Sequence, residues 1–238
     1  MFSVKILTAY PEMFPGTLNH SVIGKALKEK KWLLEIINLH NFGFNKRKGI
    51  DDSPFGGGPG MIIRPDVIEK AVNHVKNHSN QKAQYIYMTP AGKTLKQLDL
   101  EKYSKFQEII ILCGRFEGVD QRAISILGFQ EVSIGDYVLS GGEIAAQVLV
   151  EGCIRLIPGV LGQSESILEE SFSDDLLEYP QYTRPKIWTD TQNKKHHVPD
   201  VLLSGHHEEI KKWRFNKSIE KTQINKPDLL NKKNRKIK

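Results

Sequence analysis

Apolar and polar positions along the chain switch between two periods. Short apolar runs at residues 3–8, 33–38, 85–88 and 108–113, and the polar–apolar alternation over 130–134, have the length and composition of strands. Residues 20–30, 64–78, 95–103, 119–127 and 143–150 instead place apolar side chains three and four apart, and predict helices. Pro65 suits a first helical turn, and Asp120 complements the dipole at a helix start. Pro11 and Pro15 force a turn after the first strand, and Thr89-Pro90-Ala91-Gly92 breaks the strand that ends at Met88. Alternation of this kind implies an α/β fold with a mostly parallel sheet, in which ligands sit beyond the carboxyl ends of the strands. Thr89-Pro90, Gly114-Arg115 and Gly135-Asp136 all fall at such ends.

Three stretches depart from this rhythm. Residues 41–60 are rich in Gly, Asp, Asn and Pro, and an irregular piece of that length is expected to be functional. Residues 164–178 carry six acidic side chains and no Lys or Arg, which suits a linker. Beyond it, residues 208–223 set Ile210, Trp213, Phe215 and Ile219 among basic neighbours, as in an amphipathic basic helix.

Composition sharpens the picture. The chain has 238 residues, of which 39% are hydrophobic, enough for a buried core. No apolar run approaches the ~20 residues that span a bilayer, and residues 1–10 read as a strand rather than a leader, so a cytosolic protein is expected. Two cysteines, Cys113 and Cys153, suggest neither a disulfide framework nor a zinc site. The net charge of +6 is uneven: residues 211–238 hold eleven Lys or Arg against Glu220 and Asp228, a local +9 that leaves −3 for the rest. A basic end fits a polyanion such as RNA, although a short basic tail by itself is commonly just solvated.

The richest candidate for chemistry is residues 133–142, Ser-Ile-Gly-Asp-Tyr-Val-Leu-Ser-Gly-Gly, where a strand end, a tight turn and a helix start meet. Glycines there let a ligand lie against the backbone, and helix-start amides can donate to it. Gly56-Gly57-Gly58-Pro59-Gly60 is not a P-loop, because Met61-Ile62 follow where Lys-Ser/Thr is needed, and Pro59 spoils a dinucleotide fingerprint. His196-His197 and His206-His207 lack the Cys or acidic partners of a metal set; His206-His207 suits RNA contact or helix capping.

Several long motifs occur together: residues 112–118 (LCGRFEG), 133–143 (SIGDYVLSGGE), 155–162 (RLIPGVLG), 51–61, 179–185 (YPQYTRP) and 201–207. In this order they resemble the bacterial tRNA (guanine-N1)-methyltransferases of the TrmD type, within the knotted SPOUT superfamily. The resemblance implies a deep trefoil knot in a domain spanning residues 1–162, an acidic linker over 163–178 and a helical basic tRNA-binding domain over 179–238. It implies a homodimer with its active site between subunits, S-adenosyl-L-methionine as methyl donor, N1 of guanine 37 of tRNA as acceptor, and Mg2+ as an accompanying ion.

By the same resemblance, the donor is held at Pro90, Gly114, Glu117, Ile134, Gly135, Asp136, Tyr137, Val138, Leu139, Gly141 and Gly142, and the loop at 56–60 lies near the guanine. Arg155 corresponds to the family's catalytic arginine. The family's general base is an aspartate directly before Ser-Phe; here that position is Glu170, one methylene longer, with Asp174 as the lesser substitute. A sibling enzyme that methylates a ribose hydroxyl, or a non-catalytic RNA-binding protein, stand as the other readings.

Overall fold

The computed structural model describes residues 1–77, 83–161, 171–172 and 175–230. The chain divides into two compact units, residues 1–162 and 163–238.

The first unit is built on five parallel strands in the order β2-β1-β6-β5-β7. They are β1 (Phe2–Thr8), β2 (Trp32–Asn38), β5 (Ala83–Thr94), β6 (Glu108–Cys113) and β7 (Gln130–Ser133); β3 (Asp51–Asp52) and β4 (Ile62–Ile63) form a small antiparallel pair in the loop after β2. Helices α1 (Ser21–Lys28), α2 (Pro65–Asn77), α3 (Gln97–Tyr103), α4 (Gln121–Leu127) and α5 (Glu143–Ile154) complete it.

Both faces of the sheet are covered, which explains why the central strand β6 reads as a continuous apolar run rather than an alternating one. Register places Ile36, Ile6, Ile111 and Ile86 in one row across four strands, and Ile37, Leu7, Leu112 and Tyr87 in the next row. The first row joins a core with Ala146, Leu149, Val150 and Cys153 of α5; the second packs on Val67, Ile68, Ala71 and Val72 of α2 and on Ala123 and Ile124 of α4. The buried sets on α2 and α5 repeat at three and four residues, so the helical period aims one stripe of each at the sheet.

Local signals set several boundaries. The Asp120 carboxylate accepts from Arg122 N at 2.9 Å to cap α4, and Gly128 closes that helix at φ +75°. The break expected at Thr89-Pro90-Ala91-Gly92 is instead an excursion: residues 89–92 loop out and the strand resumes, so Met88 and Lys93 both pair with Val132. At Gly92 any Cβ would sit 2.4 Å from Val132 N, which requires glycine there.

The second unit contains a hairpin of β8 (Ile187–Thr189) and β9 (Lys195–His197), not foreseen from the sequence, and the long helix α6 (His207–Asn225). Of the apolar positions expected on α6, Ile210, Trp213 and Ile219 are partly buried and Phe215 is half exposed, while its fully buried residues are Ser218 and Thr222. Thr222 Oγ1 donates to Ser218 O at 2.6 Å and accepts from Leu177 N at 2.8 Å, so a small polar side chain anchors this helix. His206 occupies the N-cap of α6 but its side chain makes no capping bond. Among the described residues, no helix is long and apolar enough to cross a membrane.

Cys113 and Cys153 are free and buried. Burial pushes the Cys153 thiol up to about 12 and the Cys113 thiol well above its usual range. Unfolded, both ionise from about pH 8.5, so their contribution to stability is complete below that pH and is lost as pH rises toward the folded-state values. At pH 8 a thiol reagent is therefore expected to leave the native chain unlabelled and to label two thiols in denaturant; fast labelling of native protein would contradict the burial.

Candidate functional site

A cleft of about 280 Å³ opens beside the excursion of β5 and beyond the carboxyl ends of β6 and β7. Its walls are the turn after Met88, residues 114–118, and the loop from Ile134 to Gly142 that leads into α5. Of the residues assigned to the donor, Pro90, Gly114, Glu117, Ile134, Gly135, Tyr137, Val138, Leu139, Gly141 and Gly142 line this cleft. Asp136 does not; it is exposed within the same loop.

Glycine is required on this wall by close packing. A Cβ on Gly114 would meet the Tyr87 ring at 2.9 Å, and one on Gly142 would lie 3.0 Å from Cys113 Cα, where Gly142 N bonds to Gly114 O at 2.9 Å. Gly135, at φ +151°, brings the loop against the Tyr137 ring. Among the described residues, the backbone N–H groups of Val138, Leu139 and Gly141 have no hydrogen-bond acceptor, so the loop carries donors free for a ligand.

Beneath the loop lies a buried polar knot of side chains that sequence reading missed. Glu143, the first residue of α5, is fully buried. Its Oε1 accepts from Thr8 Oγ1 at 2.8 Å, and Thr8 Oγ1 in turn accepts from Tyr10 N at 3.0 Å. Its Oε2 lies 2.9 Å from Arg115 Nε, an ion pair without good hydrogen-bond alignment. The Arg115 guanidinium stacks 4.3 Å over the Tyr10 ring and donates to Ser140 O at 3.3 Å. One arginine thus joins the exits of β1 and β6 to the cleft loop. Gly141 makes this possible, because a Cβ there would sit 2.3 Å from Arg115 Nε. The sequence held the signal: an arginine in a strand-end motif and an acid directly after Gly-Gly.

The loop at 56–60 reaches the rim of the cleft. Gly56, Gly57, Gly58 and Gly60 all have positive φ, and Phe55 is 98% exposed. Gly60 abuts the Glu117 side chain, and Glu117 N bonds to Met61 O at 2.9 Å. At the base of this loop Arg64 ion-pairs with Asp52 and Asp66 and stacks over Phe44, which fixes where the loop departs. The Arg64 guanidinium holds the Asp66 carboxyl below its usual range.

Arg155 is elsewhere. It caps the far end of α5, half buried, about 20 Å along the helix from Gly142. Glu170 and Asp174 lie outside the described residues. Among the described residues, no three His, Cys, Asp or Glu side chains cluster to hold a metal. His196 is engaged with Asp190 Oδ2 at 2.8 Å and stacked on Trp188.

Comparison with known proteins gives a consistent result. The family model described as tRNA (Guanine-1)-methyltransferase TrmD matches residues 2–232. A tRNA (guanine-N(1)-)-methyltransferase of Wolbachia pipientis subsp. Culex pipiens is 50% identical over 97% of this chain and 97% of its own length. Enzymes of the same name from Ehrlichia canis, at 48% identity over 95% of this chain and 94% of their own, and from Rhodospirillum rubrum, at 47% over 94% and 90%, are similar throughout.

Removing one member of a buried ion pair strands the other, at a cost of about 3–5 kcal/mol. Glu143→Ala is expected to lower stability by that amount in urea unfolding, and Thr8→Val, which loses a neutral donor, by about 1–2 kcal/mol. Equal, small losses for both variants would contradict a buried charge at the base of the cleft.

Proposed function

Because the chain belongs to the tRNA (guanine-N1)-methyltransferase family, we propose that it transfers a methyl group from S-adenosyl-L-methionine to N1 of guanine 37 of tRNA, next to the anticodon, in the cytoplasm. The observation that carries this reading is the glycine-lined cleft at the strand ends, with its unpaired backbone donors.

The residues present fit the methyl donor. Gly114, Gly135 and the Val138–Leu139 backbone offer a narrow wall without side-chain obstruction and with N–H groups for adenine and ribose, and Glu117 at the rim suits the cationic end. Asp136, exposed in the same loop, belongs to the proposed donor site through its backbone. When bound, S-adenosyl-L-methionine supplies a methyl group activated by a sulfonium.

The chain's own residues must position the guanine and manage its proton. Guanine N1 carries a proton at neutral pH, so a carboxylate has to take it, and a cation has to balance charge that builds on O6. Glu170 is the proposed base and Arg155 the proposed cation. Positioning supplies the rest, since an in-line displacement requires near-attack geometry.

Arg155 and the cleft occupy opposite ends of α5, a separation that one subunit does not bridge along that helix. A homodimer resolves this, with one subunit's cleft facing its partner's Arg155. Ile144 and Val148, one turn apart on α5, remain half exposed and offer an apolar face for such a contact. The excursion at 89–92, and the return of Gly142 to Gly114, are features compatible with the family's trefoil knot. Mg2+ is carried from the family as an accompanying ion.

Single-turnover methylation of a tRNA transcript with guanine at position 37, followed by nucleoside analysis, tests the proposal. The product is expected to be 1-methylguanine; 2′-O-methylated nucleotide, or no product, would overturn it. Glu170→Gln is expected to slow transfer about 10²- to 10⁴-fold while donor binding persists, and Arg155→Ala about 10²- to 10³-fold. A shared site also predicts complementation. Subunits inactivated by Gly135→Val and by Arg155→Ala, when mixed and allowed to re-pair, should regain about a quarter of the wild-type rate; no recovery after re-pairing would place the whole site in one subunit.

A further inference from the structure

The second unit contains a pocket that the chemistry above does not use. It measures about 460 Å³ and lies between the Tyr179–Lys186 stretch, the turn before α6, and the first turns of that helix. Its lining combines three aromatic side chains, Tyr179, Tyr182 and Trp213, with three cations, Arg184, Lys186 and Arg214, and includes no Asp or Glu.

The arrangement of these groups is specific. Tyr182 and Trp213 have ring centroids 6.2 Å apart and planes tilted by 59°, so they form an open corner rather than a closed stack. Arg214 lies 4.8 Å over the Tyr179 ring at the other wall. Leu202 and Ile210 supply an apolar floor. Arg184 and Lys186 are exposed and, among the described residues, neither has a carboxylate partner. An apolar, aromatic corner with unneutralised cations at its mouth is what an unstacked nucleobase and its flanking phosphate require: a π-face for the base and positive charge for the backbone. A wholly apolar partner would leave the cations unmatched, and an acidic peptide would leave the aromatic corner empty.

We propose that this pocket is a second nucleotide site, which takes a base of the tRNA other than the methylated guanine by stacking it at Tyr182 and Trp213 while Arg184 and Lys186 hold the adjoining phosphates. The inference rests on the tRNA reading given above. It assigns the pocket to substrate capture and gives it no part in the transfer step.

The test uses the full-length chain and an unmodified tRNA transcript. Tyr182→Ala is expected to weaken tRNA binding roughly 5- to 100-fold. Tyr182→Phe, which keeps the ring, should restore most of the affinity. Arg184→Ala and Lys186→Ala should each flatten the dependence of log affinity on log salt by about one unit. For all of these variants, affinity for S-adenosyl-L-methionine and the single-turnover rate at saturating tRNA should match wild type. Ultraviolet crosslinking should map a nucleotide to residues 179–214. Unchanged tRNA affinity and salt slope in the variants, with normal methylation, would overturn the pocket while leaving the proposed function standing; a wild type that methylates nothing would overturn the function itself.

Discussion

The buried Glu143 carboxylate organises the base of the cleft. Glu143 begins a helix, which favours negative charge there, but it is also fully excluded from water, so its charge has to be matched locally. Thr8 and Arg115 do this, and they come from the exits of two adjacent strands. Tyr10 and Ser140 then hold the arginine from above and from the cleft loop. The shape of the cleft is therefore set by an electrostatic requirement beneath it, and the glycines above it are what allow the loop to come close enough.

The glycines of one loop are therefore not interchangeable. Gly141 gives space to the Arg115 side chain, Gly142 to the backbone of β6, and Gly135 to a turn that L-residues disfavour. Gly56, Gly57 and Gly58 differ: nothing crowds them, and only their positive φ demands glycine. The first group is tied to a built wall, and the second to a loop whose path is set by Arg64 at its base.

Much of this was legible in the sequence because burial and periodicity agreed. The strand at Glu108–Cys113 reads directly, since every residue in it is buried. Asp120 marks a helix start because the cap is local. The resumption of the strand after residues 89–92 was not legible, because Pro and Gly carry local break signals while the renewed pairing with Val132 is long-range. The face of α6 was legible only in part for a related reason: Thr222 is buried beside a bond from Leu177, 45 residues away, which no helical period encodes. At the candidate site, ten of the eleven residues assigned to the donor gather in one cleft, but the Thr8–Glu143–Arg115 set joins three distant segments, and their local motifs do not encode that pairing. Arg155 shows the opposite limit. Its type suits the chemistry, and only the length of α5 reveals that its own cleft is out of reach along the helix.

The central claim is that the braced loop over Glu143 is the donor site. The most direct measurement is calorimetric titration of S-adenosyl-L-methionine into wild type and Gly141→Ala, with folding of both checked by circular dichroism. The added methyl group conflicts with Arg115 and Glu143 beneath the loop, so the account predicts folded protein with donor affinity reduced about tenfold or more, a loss of at least ~1.4 kcal/mol. Equal affinity in the two proteins would contradict it, and would place the donor elsewhere in the chain.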